Sequence, residues 1–572
     1  MGTLTIGVVG VLAVVLITTL APRIGVASPL ILVVVGIGVS LLPMVGVIEI
    51  EPELLLGGIL PPLLYSAAVN TPTMEFRRDL RTISVFAVLL VVASAFGVGF
   101  LLTWLVPGLP LPIGIAVGAI VSPTDAVATT IVRKAGVSSR IVTVLEGEAL
   151  FNDASSLVIL RSAVAAVSAS VTFWSVALDF VYAVVVAVVI GYLVGMAHIL
   201  VRSKVPNIAA SVSLSLVIPF VAYVPAEHLH ASGLVAAVIA GLVTGQHTPE
   251  RLSAEVRIAE SAVWRTAELL LESAVFLLMG LQLYGLLKDV HESSGSFAGT
   301  LQWEAVGLGV AAATVVMVVR AGFVSASVWA LARRNRRMAP WRDRLEQFSE
   351  RIDSMELPQR PGHKVDQRRW NSFKDVIAKR GADLDYLARE EFGWKDGVIL
   401  VAAGMRGAVT LAAAQSLPTA TPYRSLLVLT AFVVAAGTLL VQGGTLSRVV
   451  GWLNIAERDC SHDDELRAQL QTELAAAALA KLDGGACKRP NGEPFDEETL
   501  AEARKVLQTV IDPGEVLAEQ AEDLLAVRLE IVEAQRVALL KIRDRGTYPT
   551  ELLDNKLAQL DAEQIGIELR GS

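Results

Sequence analysis

Along the first 450 positions, apolar runs of about 18 to 25 residues alternate with short polar breaks, and each run is long enough to cross a hydrocarbon core of about 30 Å at about 1.5 Å per residue. The runs lie at roughly 3–20, 26–43, 52–70, 82–106, 110–131, 140–165, 172–200, 207–225, 231–247, 263–286, 303–332, 396–416 and 424–448. This pattern predicts an all-α polytopic membrane protein with about thirteen transmembrane helices within residues 1–450. Two polar segments stand outside it. One, 333–395, connects the eleventh span to the twelfth. The other, 455–572, contains DELRAQLQTELAAAALAKL and AEQAEDLLAVRLEIVEAQRVALLKIRDR, whose helical spacing and strong helix formers predict a helical accessory domain with a regulatory role.

Composition agrees with the pattern, at 53% hydrophobic and only 18% charged residues, and excludes a soluble chain. Cys460 and Cys487 both lie in the tail, so neither a disulfide framework nor a Cys-based metal site is expected. No basic region precedes the first run near Thr3, so no cleavable signal is expected. Alternate connections carry Arg23; Arg77, Arg78 and Arg81; Arg133, Lys134 and Arg140; Arg202 and Lys204; and Arg251 and Arg257, whereas the others carry little beyond Lys288 and Arg424. The bias of basic residues toward the cytoplasm therefore places the N-terminus outside and, after an odd number of spans, the C-terminus in the cytoplasm. Segment 333–395 holds 16 basic and 11 acidic residues, and segment 455–572 holds 14 basic and 25 acidic. Both segments read as solvated, with docking of loop on tail, through their opposite charge, as the alternative.

Charged side chains inside the spans limit the function further, because each costs at least about 2.5–3.5 kcal/mol near the bilayer centre unless it is paired, hydrated or used. Counted from the cytoplasmic ends, Asp125 lies roughly 10 Å deep, Glu148 roughly 12, Arg406 roughly 15, Arg320 roughly 18 and Asp153 roughly 20. They share one slab around the midplane. Glu148 and Asp153, in EGEALFNDASS, are about 140° apart around their helix and so have different surroundings. Arg320 is a candidate countercharge for Glu148, which leaves Asp153 as the exchangeable carboxylate. Arg161, near the outer end of the same helix, is expected to snorkel to the interface.

Two spans carry breaks. Pro123 interrupts the fifth, PLPIGIAVGAIVSPTDAVATTIV, and frees backbone carbonyls beside Thr124 and Asp125. The twelfth contains GMRGAVT, with Gly404 and Gly407 flanking Arg406. Asp125 near exposed N–H groups and Arg406 near exposed carbonyls would offset the half-helix dipoles. The breaks are seven spans apart, so units of spans 1–6 and 8–13 joined by span 7 would be inverted repeats, with discontinuous helices crossing at a midplane site.

Together PPLLYSAAVN, SPTDAVA, EGEALFNDAS, the Arg of the eleventh span and GMRGAVTLA, in this order and spacing, resemble the CPA1 family of monovalent cation/proton antiporters. That family includes NhaP-type bacterial exchangers, plant salt-tolerance antiporters and animal sodium/proton exchangers. The resemblance covers about residues 1–450. It implies a multi-pass transporter of the plasma (inner) membrane, not an enzyme, that exchanges protons for Na+, with Li+ or K+ as alternatives, in pH and salt homeostasis. By the same resemblance, Asp153 holds a cation or a proton in turn, Asn152 shapes its site, Thr124 and Asp125 belong to the unwound fifth span, Glu148 pairs with Arg320, and Arg406 sits at the twelfth-span break. It also implies a homodimer in which spans 4–6 and 11–13 move, elevator-like, against a dimerisation domain of spans 1–3 and 8–10.

The chain departs from the family pattern at Ser66, where many relatives have an acid, and at Ala149, where many have Ser. Both losses put the coordination shell and the preferred cation in question. One exchangeable carboxylate implies one-for-one, electroneutral exchange, and Asn rather than a second acid at 152 agrees with this. Other classes fit less well. An intramembrane aspartyl protease using Asp125 and Asp153 lacks a glycine-rich GxGD context, a passive cation channel lacks a repeated filter segment, and a transport-dead sensor would not need the intact Asn152–Asp153 pair. Glu268 and Glu272, four apart in the tenth span with Arg265 nearby, read as a local pairing or as lining of the cytoplasmic entrance. His198, His228 and His230, near span ends, read as interface histidines, with an outward-facing pH-responsive pair as the alternative for His228 and His230. No cofactor, resident metal, nucleotide or nucleic-acid signature is present.

Overall fold

The structure, a computed structural model, describes residues 2–24, 26–42, 46–47, 50–168, 173–294, 298–353, 392–453 and 518–571, with parts of 376–391 and 470–501. Among the described residues all regular structure is helical. Seven helices are long and apolar enough to cross a membrane, and four shorter apolar helices accompany them.

The first part of the chain forms α1 (Gly2–Ile24), α2 (Ser28–Ser40), α3 (Leu54–Asn70), α4 (Thr73–Leu105), α5 (Leu111–Ile120), α6 (Val127–Lys134), α7 (Ser139–Ser168) and α8 (Phe173–Arg202). It continues through α9 (Ile208–His228), α10 (Gly233–Arg251), α11 (Ala254–Leu281), α12 (Leu283–Ser294) and α13 (Ala298–Asp353). After the polar loop come α14 (Trp394–Ala402), α15 (Ala408–Gln415) and α16 (Arg424–Leu453), and the tail contributes α17 (Ala518–Arg545) and α18 (Thr550–Gly571).

Each of the expected spans coincides with helix, but two begin more than two turns before the apolar runs. The fourth starts at Thr73 rather than near 82, and the tenth at Ala254 rather than near 263. Hydropathy marks only the apolar part of a helix, and both extensions are polar turns held by ion pairs. In the first, Asp79 accepts two hydrogen bonds from Arg140 at 2.8 and 2.9 Å, and the guanidinium lies 4.4 Å from the Phe392 ring centroid. Just inside the second, Glu260 accepts from buried Arg202 at 2.9 and 3.0 Å.

Two compact units divide the chain. The first comprises 1–248, 259–333 and 392–456 and contains the membrane helices. Between lipid-embedded helices there is little hydrophobic driving force, so close backbone approach through small residues must supply contact. At the α4–α5 contact a Cβ on Gly118 would lie 2.3 Å from the Ala95 carbonyl oxygen, and one on Gly114 would lie 2.6 Å from that of Gly99. The α3–α10 contact repeats the device, with Gly241 and Gly245 against the carbonyls of Tyr65 and Val69. Arg161 on α7 is exposed and donates to Glu227 of α9 at 2.9 Å, so its charge is paired at the helix end.

The second unit comprises 249–258, 334–391 and 457–572. Helices α17 and α18 pack on each other, and buried Asp561 of α18 accepts from Arg257 and from Arg536 of α17. Arg257 lies in residues 249–258, so this contact is internal to the second unit. The expected docking of loop on tail falls largely on residues outside the described ones.

Replacing Gly118 by Val would force Ala95 and α4 away from α5. We expect loss of the monodisperse peak in detergent size-exclusion chromatography, whereas Val at Gly437, which has nothing within 4 Å of an added Cβ, would retain it.

Candidate functional site

The fifth expected span is two half-helices, α5 and α6, and the twelfth is α14 and α15. Pro123 has no N–H to continue α5, so residues 121–126 run between the halves without helical structure. The two breaks meet, since the backbone N–H of Asp125 donates to the carbonyl of Met405 at 2.8 Å.

A broken helix leaves carbonyls at one new end and N–H groups at the other. Buried Arg406 serves the carbonyls of α5: Nε donates to Val121 O at 3.0 Å and Nη2 to Ser122 O at 3.4 Å, while Nη1 meets the carbonyl of Gly404. Its own N–H donates to Thr438 Oγ1 at 3.0 Å. Arg320 of α13 plays the same part at α14, where Nε donates to Leu400 O at 2.8 Å. At the start of α6, Asp125 Oδ1 accepts from Val127 N–H at 2.9 Å. Positive charge thus stands at two C-terminal ends and negative charge at an N-terminal one, as the peptide dipoles require.

Both glycines of GMRG have a steric reason. A Cβ on Gly404 would lie 2.6 Å from Arg320 Cδ and 2.7 Å from its Nε. One on Gly407 would overlap the Asp125 carboxylate.

Glu148 and Arg320 are each 1% exposed and form a two-point pair, Nη1 to Oε1 at 2.5 Å and Nη2 to Oε2 at 2.9 Å. Thr124 Oγ1 also donates to Glu148 Oε1, at 3.2 Å, and accepts from Asn152 Nδ2 at 2.8 Å. With its only proton committed to Glu148, Thr124 can act toward Asn152 only as acceptor. Asn152 Oδ1 is then left buried with no hydrogen-bond partner among the described residues. Asn152 is absent from the cavity wall and reaches it through Thr124.

Asp153, on a different face of α7 from Glu148, borders a cavity of about 400 Å³ together with Thr124, Asp125, Ala149, Glu268 and Glu272. It is 6% exposed, and its carboxylate has no hydrogen bond or ion pair among the described residues. Ser66 is buried, and its hydroxyl donates to Glu268 Oε2 at 3.4 Å. Arg265 borders the same cavity without an ion pair to Glu268 or Glu272 among the described residues. The Ser66–Glu268 contact joins residues 202 positions apart, and nothing in the spacing of the chain announces it. His198 is buried beside Thr244, 3.4 Å from its hydroxyl.

Residues 10–452 match the family described as sodium/hydrogen exchanger, transmembrane. The chain is 29% identical over 568 residues to an uncharacterized Na+/H+ exchanger of Mycobacterium tuberculosis, covering 97% of this chain and 94% of that one. It is 26% identical to a Na+/H+ antiporter of Aphanothece halophytica over 74% of this chain and 69% of that one. It is 32% identical to a sodium, potassium, lithium and rubidium/H+ antiporter of Bacillus pumilus over 45% of this chain and 39% of that one. Its fold is similar to that of the sodium proton antiporter of Methanocaldococcus jannaschii, with a TM-score of 0.52 at 14% identity, covering 80% of this chain and all of that one.

Two substitutions separate the two carboxylates of α7. Glu148→Gln leaves Arg320 buried without its partner and is expected to cost about 3–5 kcal/mol, read as a lowered thermal unfolding midpoint in detergent. Asp153→Asn removes a charge that has no partner and is expected to leave that midpoint unchanged or higher. Gly407→Ala is expected to behave as a site variant, folding but displacing Asp125, with exchange reduced at least about tenfold.

Proposed function

The chain belongs to the sodium/hydrogen exchanger family, and on that premise we propose that it exchanges protons for Na+ at Asp153, one for one. It is a multi-pass membrane transporter, not an enzyme. The observation that carries the proposal is the charge pattern at the crossing. Glu148 is neutralised by Arg320, Asp125 and Arg406 each face a helix end of opposite sign, and Asp153 is the buried carboxylate left over. An ionised Asp153 needs a countercharge that the protein does not build in, so it takes a proton or a cation, and the two compete. One negative charge shared in this way moves no net charge per cycle. Thr124 and Asp125 share the cavity with Asp153 and are assigned to the cation's shell, with Asn152 positioning Thr124.

One further reading has a specific observation behind it. Ala149 brings no oxygen to the cavity, and Ser66 donates its proton to Glu268. A shell with fewer fixed oxygens discriminates less by size, which favours acceptance of K+ alongside Na+ and Li+. The breadth of ions in the description of the Bacillus pumilus relative is in line with this reading.

We assign the protein to the plasma (inner) membrane as a homodimer, N-terminus outside and C-terminus in the cytoplasm, the orientation that the distribution of Lys and Arg supports.

In proteoliposomes carrying an internal pH dye, adding Na+ outside is expected to move protons in wild type and not in Asp153→Asn. Clamping the membrane potential should leave the initial rate unchanged. Retained Na+-driven proton movement in Asp153→Asn would refute the assignment, and a rate that follows the potential would refute the stoichiometry.

A further inference from the structure

Glu268 and Glu272 stand one helical turn apart on α11, and both line the cavity that Asp153 borders. Neither has an ion pair among the described residues, and the hydroxyl of Ser66 is the hydrogen-bond donor to Glu268. The basic side chains of the same wall form no ion pair with them among the described residues. Arg133 is committed to Glu146, and Arg265 is exposed and forms no ion pair among the described residues. Like charges at this spacing on a helix repel. They share the cavity with Asp153, itself 6% exposed and with no hydrogen bond or ion pair to its carboxylate among the described residues.

Much of the rest of the wall offers neutral oxygens, the hydroxyls of Thr124, Thr129, Thr130 and Thr410 among them. Ala149 offers none, and Asp125 has one carboxylate oxygen occupied by the Val127 N–H. A monovalent cation that sheds water on its way to Asp153 must replace several oxygens at once. Of the other carboxylates that line the cavity, Glu146 is paired with Arg133, which leaves the two of α11. We propose that Glu268 and Glu272 form a second monovalent-cation subsite, which receives the partly dehydrated ion and shares it with Asp153, and that Ser66 is a positioning residue that orients Glu268. This rests on the exchange reading above. It makes α11 a determinant of apparent cation affinity and selectivity.

The test uses the full chain in proteoliposomes, with Na+, Li+ and K+ as probes and choline chloride holding ionic strength at about 0.15 M, where charges are screened beyond about 8 Å. Glu268→Gln and Glu272→Gln are each expected to raise half-saturating Na+ at least about tenfold while the maximal rate stays within about twofold. Glu272→Asp, which keeps the charge, should recover most of the affinity and guards against a fold defect in the Gln variant. Ser66→Ala should raise half-saturation by a smaller factor and change the order of the three cations. Gln variants with wild-type half-saturation at this ionic strength would overturn the subsite, as would a lost maximal rate with unchanged half-saturation. The exchange reading fails separately, if wild type moves no protons in response to any of the three cations.

Discussion

Arg320 enters the crossing of the two broken helices as a full positive charge at 1% exposure, and the carboxylate of Glu148 makes that placement tolerable. Taken singly, either group would face a desolvation cost of several kcal/mol. Paired at two points, they become a fixed post to which other groups attach. Arg320 uses its remaining Nε–H on the last turn of α14, and Glu148 accepts from Thr124, which in turn holds Asn152. Backbone, helix end and side chain on three elements are thereby referred to one ion pair.

The geometry around that post tolerates little bulk. Gly404 leaves room for the Arg320 side chain to pass, and Gly407 leaves room for the Asp125 carboxylate. The same economy of small residues brings α4 onto α5 and α3 onto α10, so close backbone approach both builds the bundle and opens the crossing. With Glu148, Arg320, Asp125 and Arg406 each answered by a partner or a helix end, Asp153 is free to be answered by something that arrives and leaves. In the proposed exchange that visitor is a proton or a monovalent cation.

Much of the fold is legible in the chain because lipid imposes a length and an apolarity on each crossing segment, and Pro123 announces its break through a missing N–H. The helix starts at Thr73 and Ala254 are not legible in the same way, since their first turns are polar and are stabilised by distant partners such as Arg140 and Arg202. At the site, spacing along α7 separates Glu148 from Asp153, because helix periodicity is local. What Gly404 and Gly407 make room for, and where Ser66 sends its proton, depend on contacts between residues far apart in sequence, and no local rule supplies them.

Competition at one carboxylate has a stoichiometric signature that does not depend on transport. Adding Na+ to the weakly buffered, detergent-solubilised protein near the pH at which half of Asp153 is protonated should release protons, rising with the protonated fraction toward one per cation bound per protomer, and Asp153→Asn should release none. Na+ binding with no proton release in wild type, or undiminished release in Asp153→Asn, would contradict the account.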